Sequence, residues 1–252
     1  MELKMSETLK VIEHHQSMRN YTGRLLTEEE VSNLQDAMLQ TSTSCFLQDV
    51  TVIRVTDREK LEVIAKCAGG QEHIANCAEF WMFCIDYTKL QKSVALPPSK
   101  IPFKLLYSGL NDVALACQNV LTAAESMGLG GVIIGGYKKQ IDVVSELLKV
   151  PYGILPALGL CLGVPDENFR EEQKPRLPKH WFFSENEYQD PFDENELAQY
   201  DEKMAEYYKN RQHQAKEDMN WTKASKAMLS GKNDGGLLVR YIKEQGFILE
   251  NE

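Results

Sequence analysis

The sequence predicts an α+β fold. Two amphipathic helices come before any strand, the strand-like segments that follow are short and rich in β-branched or aromatic residues, and beyond residue 165 the chain turns polar and helical. Regular alternation of helix and strand would point to a three-layer α/β sheet, whereas helices gathered ahead of the first strand fit a segregated arrangement.

Ser6 precedes Leu9, Ile12 and a basic end, which makes a first helix running to about His14. Thr27 and Glu30 form a capping-box pair, and Val31, Leu34, Ala37 and Met38 continue at helical spacing. Residues 49–56, with Val50, Thr51, Val52, Ile53 and Val55, read as a strand. Asp57 is placed to cap a short helix carrying Leu61, Ile64 and Ala65, which Gly69 and Gly70 end. Residues 78–86, with Phe80, Trp81 and Phe83, form a second strand, and Pro97, Pro98 and Pro102 mark residues 94–103 as a loop. The longest helix, about 104–127, is apolar on most faces, so it lies in a core or in a subunit interface. Gly128 stands where a C-terminal glycine cap belongs. A third strand over 131–134 runs into Gly135 and Gly136, a helix over 140–149 stops at Pro151, and a fourth strand spans about 155–163. Residues 166–235 are polar and acidic, with one clear helix at 194–208, and 236–246 form a last amphipathic helix. This organisation gives a sheet-and-helix core over 1–165 and a mostly helical extension over 166–252.

A chain of 252 residues with 43% apolar and 26% charged residues is an ordinary globular protein with a sizeable core. The formal net charge of -9 argues against a nucleic-acid partner, which requires Lys and Arg to neutralise phosphates, but leaves room for a local basic pocket. No apolar run reaches membrane-spanning length, and residues 1–10 lack the apolar stretch of a signal peptide, so a cytoplasmic protein with no membrane partner is expected. Six cysteines form no CxxC pair and no zinc spacing, so no metal site is expected and most act as small buried hydrophobes.

Side chains suited to chemistry gather in five places. His14-His15-Gln16-Ser17-Met18-Arg19 collects imidazole, amide, hydroxyl and guanidinium groups. Such a set holds a phosphate or a polar ring edge, or serves as a solvated, positively charged helix end. Thr41-Ser42-Thr43-Ser44, followed by Cys45-Phe46-Leu47-Gln48, offers hydroxyls to a ligand or forms a plain hydroxyl-rich turn. Gly69-Gly70-Gln71 lets backbone approach a ligand, or simply stops a helix. Five glycines from Gly128 to Gly136 bracket one strand, either as a helix cap and strand exit or as flat backbone against a ring. They follow a helix rather than lead into one, so dinucleotide-loop logic does not apply. Lys174-Pro175-Arg176 sets two cations behind Asp166, Glu167, Glu171 and Glu172, to meet one anion or in a solvated linker. There is no serine elbow, HExxH or P-loop lysine.

Taken in order, these segments resemble the oxygen-insensitive NADPH nitroreductases of the flavin reductase P type, in the FMN-dependent nitroreductase family. The likeness runs through His15-Gln16-Ser17-Met18-Arg19, Thr41 to Gln48, Gly69-Gly70-Gln71-Glu72-His73, Ala78-Glu79-Phe80-Trp81 and Ala123-Ala124-Glu125-Ser126. It continues through Gly128-Leu129-Gly130-Gly131, Ile134-Gly135-Gly136, Leu155-Pro156, Lys174-Pro175-Arg176-Leu177-Pro178, Tyr200-Asp201 and Tyr207-Tyr208, and so spans nearly the whole chain.

The resemblance implies a central, mostly antiparallel sheet flanked by helices, in two interlocked subunits with FMN at their interface. It implies that Lys174 and Arg176 meet the FMN phosphate, with His15, Gln16 and Ser17. Arg19, Gln71 and Thr43 would meet the edge of the ring. Backbone from Ile133 and Ile134 to Gly135 and Gly136 would lie along it, with an amide near Gly135 donating to the flavin N5 that takes and gives hydride. No side chain is then needed as an acid. Phe46 and Tyr137 would wall the open face, and Arg211, with Lys216 as a second candidate, would contact the extra phosphate of NADPH. The implied activity is ping-pong transfer from NADPH to small-molecule acceptors: nitro compounds, quinones or free flavin. A flavin reductase that hands reduced FMN to a partner enzyme has the same residues, and a flavin store or sensor is the reading of another class. Two departures stand out: the family commonly has arginine where this chain has Gln16, and residues 212–221 match poorly.

Overall fold

The computed structural model describes residues 6–97, 99–169, 173–211, 215–230 and 235–249. Residues 1–5, Pro98, Glu171, Glu172 and Gln212 to Gln214 of the poorly matching stretch lie outside the described residues. The chain divides into two units, Met1–Asn168 with Asp234–Glu252, and Phe169–Asn233.

In the larger unit α1 (Glu7–Glu13) begins at Ser6, whose hydroxyl accepts the Leu9 N–H at 3.2 Å. The capping box of α2 (Glu28–Leu39) forms in full: Thr27 Oγ1 accepts from Glu30 N, and Glu30 accepts from Thr27 N. Arg24 donates to both oxygens of Glu30 and, with the Thr27 amide, holds that carboxyl down at about 2. α3 (Arg58–Cys67) is capped by Asp57 and ends at Gly69 and Gly70, whose φ of +84° and +78° few other residues adopt without strain. α4 (Glu72–Asn76) and α5 (Thr88–Ser93) are additions to the expected elements, each too short to show a helical period. The longest helix is α6 (Phe103–Ser126), followed by α7 (Ile141–Leu147). The smaller unit holds α8 (Glu194–Asn210) and α9 (Trp221–Ser230), the latter also unforeseen, and α10 (Gly236–Glu244) returns to the larger unit.

Four strands, β1 (Val50–Val55), β2 (Glu79–Asp86), β3 (Gly130–Ile134) and β4 (Ile154–Gly163), pair in the order β1-β2-β4-β3. Every pairing is antiparallel, so the sheet is that of an α+β fold. All eight residues of the central strand β2 are buried, and its apolar run lacks the alternation of a half-exposed strand because both faces are covered. α6 packs across all four strands. Leu106, Gly109, Val113, Ala116, Cys117, Val120, Leu121 and Ala124 form its inward face. The opposite face leaves Tyr107, Leu110 and Leu115 exposed, so a helix expected to be buried on several sides is buried on one within a single chain. Among the described residues no helix is long and apolar enough to cross a membrane.

One polar pair in the sheet has a clear energetic reading. Glu79 is 3% exposed and accepts from Arg54 Nε and Nη2 and, at 3.2 Å, from Trp81 Nε1. Removing Arg54 leaves a buried carboxylate with one neutral donor. Arg54→Ala is expected to lower the unfolding free energy by about 2 kcal/mol at neutral pH. Urea unfolding of the two proteins at neutral pH checks this, and an unchanged unfolding free energy would contradict it.

Candidate functional site

β3 is an edge strand, and the segment after α1 takes its free edge. Ser17 bridges Gly131 in parallel, and Met18 N–H donates to Gly131 O at 2.8 Å. Farther on, Tyr21 bridges Pro165, its hydroxyl donates to Met18 O at 2.8 Å, and Thr22 N–H donates to Val164 O at 3.0 Å. The glycines at the start of β3 permit this approach: a Cβ on Gly130 would stand 2.9 Å from Met18 Cβ, and one on Gly131 only 2.5 Å from Cys161 O. Two of the five glycines are therefore demanded by packing alone. His15 Nδ1 lies 2.6 Å from Glu125 Oε1 near the end of α6. Gln16 Oε1 is buried and has no hydrogen-bond partner among the described residues.

At the other end of β3 the constraints differ. A Cβ on Gly136 would lie 2.9 Å from Gln71 Nε2 and 3.0 Å from Ala68 O, so glycine lets the Gln71 amide press against the strand exit. At Gly135 the nearest atom to such a Cβ is Lys138 Nζ at 4.0 Å, and the backbone there, at φ −122°, suits any residue. Nothing in the fold requires a glycine at 135. Ile133 turns outward and Ile134 inward. Burial pushes the Lys138 amine below its ordinary range. Burial, with the charge of Arg19 added, pushes the His73 imidazole down to about 4. His73 is then neutral at physiological pH, with Nε2 buried and without a hydrogen-bond partner among the described residues. The single chain thus brings Arg19, Gln71, His73 and Gly135–Gly136 into one neighbourhood. Sequence reasoning gave a role to neither His73 nor Lys138. A lone histidine on a short helix and a lysine after a strand carry no local mark of burial.

The other expected residues divide. Phe46 is 79% exposed and free to wall an open site. Tyr137 is fully buried in the core of the larger unit, so the expectation that it walls the open face is corrected: at the first turn past β3 its ring points into the core. Thr43, half-buried, accepts from Gln48 N at 3.3 Å on a loop anchored to α6 through Ser44 and Asp112. The loop's side-chain hydrogen bonds run to Asp112 and within the loop itself.

In the smaller unit two of the expected cations, Lys174 and Arg211, lie against Tyr207 and Tyr208 at the C-terminal end of α8, while Arg176 lies near Tyr200 in mid-helix. Lys174 Nζ donates to Tyr208 Oη at 3.2 Å and stands 5.3 Å from that ring's centre. Arg211 lies 5.7 Å from the Tyr207 ring centre and 6.0 Å from that of Tyr208, and Lys216 N–H donates to Tyr208 O at 3.0 Å. Tyr200 Oη donates to Pro175 O at 3.0 Å, fixing the turn between Lys174 and Arg176. Burial raises the Tyr200 pKa, and the nearby Arg176 charge offsets part of that rise. Positive charge at a helix C-terminus is also favourable in itself, so the arrangement is stable without a ligand.

Comparisons with known proteins agree across the chain. Residues 109–164 match the nitroreductase family, and residues 174–250 match the C-terminal domain of the nitroreductase family. The oxygen-insensitive NADPH nitroreductase of Salmonella typhimurium is 41% identical over 244 residues, covering 96% of this chain and 99% of that protein. The crystal structure of nitroreductase A from Vibrio parahaemolyticus aligns with a TM-score of 0.87 at 35% identity, over 98% of this chain and 100% of that one. The structure of NADPH:FMN oxidoreductase from Vibrio harveyi complexed with NAD+ aligns with a TM-score of 0.86 at 34% identity, over 97% and 100% of the two chains.

Proposed function

The chain belongs to the nitroreductase family, and from that premise we propose that it is an FMN-containing oxidoreductase that takes electrons from NADPH and gives them to nitro compounds, quinones or free flavin. The observation that carries this reading is the cradle around Gly135. The backbone there is open where a Cβ would meet almost nothing, and two buried polar atoms have no hydrogen-bond partner among the described residues: His73 Nε2 just past Gln71, and Gln16 Oε1 toward the start of β3. A flat, polar-edged ring fits the groups of the larger unit, with open glycine backbone for the ring and Arg19 and Gln71 for its edge; the phosphate is assigned to His15, Gln16 and Ser17 and, by the resemblance, to Lys174 and Arg176. FMN, when bound, supplies the two-electron chemistry that no side chain here provides.

The protein's own share is to bind, orient and exclude. Ile133 to Gly136 would give the ring a rigid backbone surface, held by the pairing of β3 with β4. The backbone on either side of Arg19 is tied to the sheet edge, and its Nη1 donates to Ser17 O at 3.3 Å. Neutral His73 adds a polar group without a second charge. Arg211 and Lys216 are assigned to the extra phosphate of NADPH, Arg211 for its planar fork of donors. In this reading the extension over 166–252 contributes the phosphate-binding and NADPH-contacting residues.

The exposed apolar residues of α6 (Tyr107, Leu110, Leu115) and α1 (Leu9, Ile12) support assembly as a homodimer. A second copy would then bring Thr43 and Phe46 to the site. The thiols are free, which suits a reducing, cytoplasmic setting.

The test is spectroscopic. The purified protein should show a flavin spectrum that bleaches when NADPH is added without oxygen, and that returns on addition of a quinone or nitroarene. A flavin that stays oxidised would make the protein a binder rather than a reductase. A colourless protein that cannot be reconstituted with FMN would defeat the reading altogether.

A further inference from the structure

The loop that carries Thr43 and Phe46 is flanked by two buried carboxyl groups that none of the roles above uses. Asp112, on α6 and 1% exposed, accepts the Ser44 N–H on Oδ2 and the Ser44 hydroxyl on Oδ1, each at 2.7 Å. Asp49, where the loop ends, is 0% exposed, and neither of its carboxyl oxygens has a hydrogen-bond partner among the described residues. It lies against the helix that carries Asp112: a Cβ on Gly109, one turn earlier in α6, would stand 3.1 Å from Asp49 Oδ2. Between these two carboxyls the chain takes a costly path. Cys45, Phe46 and Gln48 have φ of +51°, +55° and +53°, a region that non-glycine residues keep only when their surroundings impose it.

We propose that Asp49 and Asp112 hold one proton between them, carried on Asp49, and that this pair is the positioning device of the loop over 43–48. Asp112 uses both oxygens as acceptors, which is the behaviour of an ionised carboxylate. The groups facing the pair allow one negative charge and not two. Lys89 on α5 lines the same cavity of about 280 Å³ as Asp112, Thr43 and Gln48, with its ammonium on Val50 O at 3.0 Å. Tyr87 donates its hydroxyl to Leu105 O at 2.8 Å. The Asp86 carboxylate is taken up by Thr51 Oγ1, Thr88 N and Thr88 Oγ1, while its own N–H donates to the Asp49 backbone oxygen. A second anion at Asp49 would be buried with no nearby donor but the Tyr87 hydroxyl, which is already given to Leu105 O. Burial, reinforced by Asp112 and partly offset by Tyr87, pushes the Asp49 carboxyl above its ordinary range. The sign follows: with the folded pKa raised, the order that the pair gives the loop is complete below the ordinary carboxylate range and is lost as pH rises through the pKa of Asp49.

This rests on the reading of Thr43 and Phe46 as site residues only for its effect on turnover, and the experiment separates the two. Cys45, at the loop's apex, is exposed, while the other five cysteines are buried. Its rate of reaction with an aromatic disulfide reagent therefore reports loop order. The holoenzyme and its Asp49→Asn and Asp112→Asn variants are labelled across a range of pH. Asp49→Asn keeps an uncharged donor in place of the protonated acid and the same thiol chemistry. The ratio of wild-type to Asp49→Asn rate should be near one in mild acid. In alkali it should rise by about tenfold as local opening becomes easier. Asp112→Asn should label faster at every pH and raise the acceptor KM more than it changes kcat. A ratio that stays flat with pH overturns the shared proton, and a wild-type labelling rate in a folded Asp112→Asn variant overturns the anchor. The expected labelling with an unchanged acceptor KM supports the pair and instead removes Thr43 and Phe46 from the acceptor site.

Discussion

Replacing Lys174 and Arg176 together by alanine is expected to yield a folded protein that purifies without flavin. In the proposed site these two side chains are the formal positive charges on the FMN phosphate, and Gln16 would supply an amide where the family commonly has arginine. Hydrogen bonds to charged groups contribute roughly 1.5–3 kcal/mol each, so losing two weakens binding by about 3–6 kcal/mol, or two to four orders of magnitude. The turn itself should survive. Its geometry is fixed by Tyr200 Oη on Pro175 O, a contact that neither substitution touches. Lys174 also donates to Tyr208, but on an exposed surface where such a contact adds little. The ratio of visible flavin absorbance to protein absorbance, followed by titration of the apoprotein with FMN, gives the answer. A double variant that keeps its full complement of flavin moves the phosphate elsewhere. In that case the two cations beside Tyr207 and Tyr208, Lys174 and Arg211, are better read as partners of a helix C-terminus.

What the sequence made legible follows the range of the interactions involved. Caps at Ser6, Thr27 and Asp57, and helix ends at Gly69, Gly70 and Gly128, are set by a few neighbouring residues, and all stand where the sequence places them. α5 and α9 escaped because their stability is tertiary: Lys89 reaches across to Val50 O, and Thr222 N–H donates to Asp201 on α8. Tyr137 was misjudged for a related reason. A tyrosine after a strand exit reads as an open wall, and only the packing of the turn at Gly136–Gln140 turns its ring inward. The candidate site shows the same division. The segments that carry it were visible as clusters of chemistry, and the family resemblance ordered them. Asp49 and Asp112 lie 63 residues apart in sequence, and no local pattern marks either as buried.

The run of glycines around β3 is the sharpest case, because residues of one type there answer to different demands. Gly131→Ala would set a methyl 2.5 Å from the Cys161 carbonyl oxygen, a backbone atom of the paired strand that cannot rotate away. The strands must part locally, and the bond from Met18 N–H to Gly131 O loosens with them. Overpacking of this kind costs about 1–3 kcal/mol. In a chain of this size that lowers the melting temperature by roughly 2–12 °C. Flavin affinity should fall too, because Arg19 is held near the site through that edge. Gly135→Ala should do the reverse. Its Cβ would meet only the flexible end of Lys138 at 4.0 Å, so the melting temperature should be that of the wild type. The methyl would occupy the space assigned to the ring, and flavin affinity should drop by about tenfold or more. Thermal melts and FMN titrations of the two apoproteins separate stability from binding. If Gly135→Ala binds flavin as tightly as the wild type, the ring does not lie against that backbone, and the cradle that carries the proposed function must be sought elsewhere along β3.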